Sequence, residues 1–240
     1  MKRCALIIGA PDSTIPGVYD DMRNYRAFMK SFAGGAWYDH EIVTLENPSQ
    51  SAVQSQIKLL ESVDYSIVIF AGHGEYSLAH KATMVQINGH TKIEEHGLKI
   101  GAPRRTLIID ACRVIAKPSL VEAMVRKAMA MDHYQDASAS RALFERKVME
   151  CHPGLAVLYS CDIGQGAGDV PGEGGRYSSA LLEVSGGWVE QSVTSRGTAL
   201  SVSDAHELAH PLVVKRSGGS QTPKSDVPRN VPRFPFAVKA

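Results

Sequence analysis

Two residues of the sequence stand where a thiol and an imidazole could work as a pair. His73 sits in IVIFAGHG, at the end of an apolar run and between two glycines, and Cys112 sits in TLIIDACR, at the end of another. Glycine at 72 and 74 lets the backbone turn sharply and lets a substrate come close. If the two runs are neighbouring parallel strands, as sequential strands often are, the side chains face each other across one crevice. A Cys and a His so placed are a nucleophile and its general acid/base. Taken singly, either residue is more often structural, the Cys as a small buried apolar group and the His as a satisfied loop residue. Their matched placement at two strand ends lifts them above that background.

The other residues of these types carry weaker signals. Cys4 lies inside an apolar run and Cys151 just ahead of Pro153, neither beside a polar group that would make it reactive, so both are expected to be structural. The four cysteines form neither a CxxC pair nor a secreted disulfide framework. His80, His90, His96, His133, His152, His206 and His210 match no HExxH or C2H2 spacing, although His206 and His210 are four apart on a helical pattern, so no zinc site is expected. Gly164, Gly166, Gly168, Gly172, Gly174 and Gly175 follow no phosphate-loop or dinucleotide pattern and read as a mobile loop beside the substrate groove.

The elements that must position the pair are legible as alternating apolar runs and amphipathic stretches. Strands are expected at Cys4 to Ile8, His40 to Leu45, Ser66 to Ala71, Thr106 to Asp110, Leu155 to Ser160 and Phe234 to Val238. Helices are expected at Asp20 to Phe32, Ser49 to Ser62, Leu120 to Met131, Ser138 to Glu150, Tyr177 to Val184 and Ser203 to Lys215, the last capped by Ser203. Such alternation indicates an α/β fold with a mostly parallel sheet covered on both faces. Residues 74–104 and 162–176 read as loops, each following a strand, and ligands of open α/β sheets bind beyond the carboxyl ends of strands.

Length and charge bound the function classes. A chain of 240 residues that is 44% hydrophobic is enough for one sizeable core and is read as one domain, 1–240. With 26 Lys and Arg against 25 Asp and Glu the net charge is +1, so no basic stripe points to nucleic acid. The apolar run after Lys2 and Arg3 is too short for a signal peptide and no stretch reads as a membrane span, so the expected location is the cytoplasm.

The segments ALIIGA, VIFAGHGE and LIIDACR, in this order and spacing, resemble the caspase and metacaspase peptidases. The caspase signature likewise has Cys followed by Arg with a His about 50 residues upstream. Here the separation is 39 residues, and DACRV stands where caspases carry QACRG, which leans toward the metacaspase side. GVYDDM resembles the metacaspase segment in which an Asp follows strand one, and YSCDIGQGAGD resembles their SGC-D-QTSAD stretch. GGRYSSALLE, SGGSQTP and FPFAV look like the small-subunit half of bacterial members, so the likeness runs over nearly the whole chain. The fold it implies is a caspase-like three-layer sandwich, a mostly parallel six-stranded sheet with helices on both faces. Residues 1–112 and the helices after them correspond to the large-subunit half, and about 150–240 to the small.

The resemblance also implies roles. His73 and Cys112 become the catalytic dyad of a cysteine endopeptidase working through a thioacyl intermediate, with the backbone amides of Gly74 and Cys112 as oxyanion donors. Asp110, and Asp21 by its spacing from Gly17, would line the pocket for the side chain before the scissile bond, with Asp20 able to exchange roles with Asp21. Two carboxylates there select Lys or Arg, and Arg most strongly through a bidentate contact. Ala71 stands where metacaspases often have Ser, and Cys161 and Asp162 could line the same crevice. The alternatives are cleavage after Asp, with Arg23 or Arg113 as receptor, and a non-catalytic caspase-fold binding protein.

No nucleotide or redox cofactor is required by this chemistry. Calcium is a candidate activator, as in some metacaspases, with Asp162, Asp169 and Glu173 as available ligands but without EF-hand order. The implied partners are a protein or peptide substrate with a basic residue before the cut and a regulatory protein, in a cell-death or defence role, without nucleic acid or membrane. Self-cleavage would fall in residues 113–150, which offer Arg126, Lys127, Arg141, Arg146 and Lys147.

Overall fold

The computed structural model describes residues 1–115, 136–170, 172–191, 193–227 and 233–240. The expected helix at Leu120 to Met131, with Arg126 and Lys127, lies outside the described residues.

In chain order the strands are β1 Arg3–Ala10, β2 Ile42–Glu46, β3 Tyr65–Gly72, β4 Gly74–Ser77, β5 Ala82–Asn88, β6 Thr91–Glu94, β7 Arg104–Asp110, β8 Gly154–Tyr159, β9 Asp169–Val170, β10 Gly174–Gly175, β11 Thr198–Ser201, β12 Lys224–Asp226 and β13 Pro235–Lys239. The helices are α1 Val18–Lys30, α2 Gln50–Leu60, α3 Glu95–Leu98, α4 Ala137–Met149, α5 Arg176–Glu190 and α6 Val202–Arg216. The central sheet has the order β12-β8-β7-β3-β1-β2, parallel throughout except for β12.

Strand alternation splits the core into two layers. Ala5 and Ile7 of β1, Ile67 and Ile69 of β3 and Ile108 of β7 face α1, α4, α5 and α6. Leu6 and Ile8, Val68 and Phe70, and Leu107 and Ile109 face α2, α3 and β5 on the other side. Because both faces are covered, each central strand reads as a continuous apolar run rather than an alternating one. Helix α2 shows the local logic: the Ser49 side chain accepts a hydrogen bond from the Ala52 amide, and Val53, Ile57 and Leu60 form its single buried face. A cap of this type is worth about 1 kcal/mol, and each buried aliphatic side chain about 1.5–3 kcal/mol.

Several expectations are corrected. The apolar C-terminal strand exists at Pro235–Lys239, but it pairs antiparallel with Thr198–Ser201 outside the central sheet. Phe234, Phe236 and Val238 are consumed in the core beneath the helices. The sixth strand of the sheet is Lys224–Asp226, a fully exposed edge whose Lys, Ser and Asp give no apolar signal. Residues 74–104 are not a loop: β4, β5 and β6 form a small antiparallel sheet, with Val85 and Ile87 turned into the second core layer. Helix α6 is capped by Ser201 and not Ser203, its hydroxyl accepting from the Asp204 amide. Helix α5 runs on through Gly186 and Gly187 to Glu190, past the expected end at Val184. His40 belongs to a short 3-10 turn, Asp39–Glu41, ahead of β2. Among the described residues no helix is long and apolar enough to cross a membrane.

Candidate active site

Strands β3 and β7 are adjacent and parallel, with Ala71 opposite Asp110. The chain therefore leaves the sheet at Gly72–His73 and at Ala111–Cys112 side by side. Gly74 packs directly on the second exit: a Cβ there would stand 2.7 Å from the Cys112 carbonyl oxygen and 2.8 Å from the Ala111 Cβ. Only glycine allows that approach. A cleft of about 320 Å³ opens at this point, lined by Asp21, His73, Asp110, Cys112, Ala167 and Asp169 among others. A larger groove, about 940 Å³, lies on the other side between α2 and α3, but it is lined by residues such as Val53, Ile57 and Ile100 and holds no nucleophile.

Ala167, Asp169 and Gly175 reach the cleft from the glycine-rich stretch that follows β8. The Ala167 amide donates to Cys112 Sγ at 3.3 Å, and the thiol donates back to the Ala167 carbonyl at 3.5 Å. Burial raises the Cys112 thiol above its ordinary range, the Ala167 amide opposes this, and the charges of Asp110 and Asp169 add to the rise. At neutral pH the Cys112 side chain therefore rests as a thiol.

His73 is held from the segment after β1. Its Nε2 lies 2.9 Å from Asp12 Oδ2 and 3.2 Å from Thr14 Oγ1. Burial would lift the Asp12 carboxyl, but hydrogen bonds from Thr14 and contact with His73 outweigh it and hold Asp12 below its usual value.

Three carboxylates share the cleft. Asp21 faces it from the first turn of α1 and is 3% exposed. Its Oδ1 accepts from the Gly175 amide at 2.8 Å. Burial pushes the Asp21 carboxyl well up, and the charges of Asp110, Asp169 and Asp20 push the same way against the single Gly175 bond. Asp110 Oδ2 accepts from both the amide and the hydroxyl of Ser178, at 2.9 and 2.6 Å. Burial raises Asp110 too, with the Ser178 bonds opposing. Asp169 is pushed up to about 6 by burial of its carboxyl and by Asp110, against Arg176 and His73. The residue as a whole is exposed, so its carboxyl keeps some contact with water. Gly175 lies between the acids, where a Cβ would overlap Asp110 Oδ2.

The sequence-derived candidates thus divide. His73, Cys112, Asp21 and Asp110 line one cleft with Gly74 against it; Ala71 is buried in β3, and Ala71, Cys161 and Asp162 are not part of the lining. Cys161 Sγ lies 3.4 Å from the Ala111 carbonyl and 3.3 Å from the Gln165 carbonyl, either of which can accept its one proton, and burial pushes its thiol up to about 12. Asp162 turns outward to Lys224 at 3.2 Å. Asp20 pairs with Arg23, whose side chain is 58% exposed. Arg113 points to the opposite layer, its guanidinium 4.0 Å from the Tyr159 ring and bonded to Thr83 Oγ1 and the Cys161 carbonyl. Neither Arg23 nor Arg113 lines the cleft; Arg176, the cation nearest the acids, is held by Gln221 Oε1 at 2.7 Å. Asp162, Asp169 and Glu173 are not drawn together, and among the described residues no group of three or more His, Cys, Asp or Glu could hold a metal ion.

Asp12, Thr14 and Ser178 carry no site role in the sequence reading, and Asp169 appears there only as a calcium ligand. The first two carried a readable signal, an Asp-x-Thr turn immediately beyond a strand end. Of the self-cleavage candidates, Arg141, Arg146 and Lys147 lie within α4, and Arg141 is further tied to Glu41 and Glu145.

A family model described as the caspase domain matches residues 2–230. No curated protein matches the chain. Among solved structures, the crystal structure of caspase-1 from Spodoptera frugiperda is similar in fold, with a TM-score of 0.60 and 13% sequence identity over 99% of this chain and 90% of that one.

Proposed function

Because the chain belongs to the caspase-domain family, we propose that it is a cysteine endopeptidase that cuts protein substrates after Arg or Lys, with Cys112 as nucleophile and His73 as acid/base. The observation that carries this reading is the cleft itself, where Cys112 and His73 share one wall system with Asp21, Asp110 and Asp169, while among the described residues no Arg or Lys lines it. A guanidinium placed among these acids gains charge-assisted, potentially bidentate hydrogen bonds. An aspartate side chain there would face three carboxyl groups with no Arg or Lys among the described lining residues. The metacaspase side of the family is the better fit for the same reason.

The chemistry follows from the placement. His73 takes the Cys112 proton, the thiolate attacks the scissile carbonyl, and the imidazolium protonates the leaving amine; water then releases the acyl group from sulfur. The amides of Gly74 and Cys112 are the proposed oxyanion donors. The acids have a second effect: Asp110 and Asp169 help hold the Cys112 thiol protonated, so a cationic substrate side chain that offsets their charge also favours the thiolate. The nucleophile would thereby be activated by the substrate it is built to cut.

The test is cleavage of a peptide panel that varies only the residue before the scissile bond, with and without calcium, by wild type, Cys112→Ala and Asp110→Asn. Arg and Lys cleavage lost in both variants is the expected result. Cleavage after Asp would overturn the specificity reading. A silent wild type whose Cys112 also resists a thiol-reactive Arg peptide would favour the non-catalytic binding role.

A further inference from the structure

The segment between β1 and α1 contributes more than a wall. Asp12 is anchored through one oxygen: Oδ1 accepts the Thr14 amide at 2.7 Å, the Thr14 hydroxyl at 2.6 Å and the Ile15 amide at 3.2 Å. Its other oxygen, Oδ2, is thereby aimed at His73 Nε2, 2.9 Å away. Thr14 Oγ1 stands 3.2 Å from the same nitrogen.

The proton count at Nε2 is decisive. An ionised carboxylate only accepts hydrogen bonds, and a threonine hydroxyl has a single proton to give. That proton goes to Asp12 Oδ1, so Thr14 turns only a lone pair toward the ring. With three donors on one oxygen, Asp12 is held in its ionised form. Among the described residues, His73 Nε2 therefore faces two acceptors and no donor. A neutral imidazole has one N–H and one bare nitrogen, and only the N–H satisfies this surrounding.

We propose that Asp12, braced by Thr14, is a positioning residue that fixes His73 as the Nε2–H tautomer and leaves Nδ1 as the nitrogen that exchanges the proton with Cys112. The inference rests on reading Cys112 and His73 as the catalytic pair, and it turns that dyad into a Cys-His-Asp triad. Asp12 remains ionised throughout. It supplies orientation before the proton moves and a counter-charge to the imidazolium after Nδ1 has taken it.

The experiment is a two-bond ¹H–¹⁵N correlation spectrum of protein carrying ring-¹⁵N histidine, at a pH where the His73 ring is neutral, with His73 assigned from His73→Gln. The wild type and Cys112→Ala should both carry the proton on Nε2, and Asp12→Ala should shift the ring toward a mixture. In peptide cleavage, Asp12→Ala should lower kcat by roughly 10²-fold or more while KM changes little, as expected for loss of acid/base orientation, and Asp12→Glu should restore part of it. A wild-type ring protonated on Nδ1, or evenly mixed, overturns the proposal even if no variant folds. So does an unchanged tautomer together with unchanged kcat in Asp12→Ala. Because the spectrum needs no turnover, an Nε2–H ring in a chain that cuts no peptide would leave the tautomer assignment standing and refute the peptidase reading; cleavage by an Nδ1–H enzyme would do the reverse.

Discussion

Replacing Asp21 by Asn should make the protein more stable and worse at cutting after Arg. Asp21 is buried, and among the described residues its one backbone donor in the cleft is the Gly175 amide. Its folded-state carboxyl is raised by burial and by Asp110, Asp169 and Asp20. A raised carboxyl favours folding fully below the unfolded value near 3.9 and loses that contribution as pH climbs through the folded value. Once pH rises above the unfolded value, the buried Asp21 carboxyl is thus a liability that Asn, close in shape and without an ionisable group, removes.

Relieving one member of a buried like-charge cluster should return on the order of 1–3 kcal/mol, a rise in Tm of about 2–12 °C for a chain of this size. The gain should fade toward pH 4, where wild type is protonated. Asp110→Asn should gain less, because Ser178 already supplies two hydrogen bonds to that carboxylate. Against this, loss of one charged partner for an entering guanidinium should lower kcat/KM on Arg peptides by roughly 30- to 5,000-fold, the equivalent of 2–5 kcal/mol. Thermal melts of wild type and both variants at pH 4 and pH 8, beside Arg-peptide kinetics, read both quantities. A Tm that falls at pH 8, or a gain no smaller at pH 4, would refute the reasoning.

Two further outcomes follow from the same geometry. Arg113→Ala should destabilise the fold by about 2–4 kcal/mol in denaturant melts, since it deletes a buried guanidinium stacked on Tyr159 and bonded to Thr83 and Cys161; a gain of stability would contradict its structural assignment. With Asp169 pushed up to about 6, KM for Arg peptides should fall as pH rises through about 6, and that step should be missing in Asp169→Asn; a profile identical in the two would count against Asp169 as part of the pocket.

The sequence spoke most clearly where burial on both sides forced a simple rule. The β1, β3, β7 and β8 runs are apolar because each is sandwiched between two layers, so their ends, and with them His73 and Cys112, could be placed from residue types alone. Segments whose signal is shared or weak were missed. The edge strand Lys224–Asp226 buries nothing. The alternation Val85, Ile87 within β5 was obscured by the glycines and histidines around it. Phe234 to Val238 announced a strand but could not say which partner it would take, since an apolar strand fits any buried position. In the site, Asp110 was legible through the metacaspase resemblance, two places before Cys112, whereas the place of Asp169 depends on how a glycine-rich stretch folds back, and no local pattern encodes that. Asp12 was legible in principle as a turn residue, but its aim at His73 depends on β1 and β3 being neighbours.

The chain between Cys161 and Arg176 has one more consequence, for how affinity would be measured. Its Gly175 amide already occupies an acceptor of Asp21, and its Ala167 peptide already brackets the Cys112 sulfur. The cleft is in effect loaded with an internal ligand, and a substrate is a competitor for it. Apparent affinity then scales with the fraction of molecules in which this segment has withdrawn: if about 1% are open, binding is weaker by about 100-fold than the bare pocket would give. A variant or partner that draws Ala167 and Gly175 aside would raise apparent affinity by that factor without touching Asp21, Asp110 or Cys112, and tight substrates would be those that reproduce the bonds these two peptides make now.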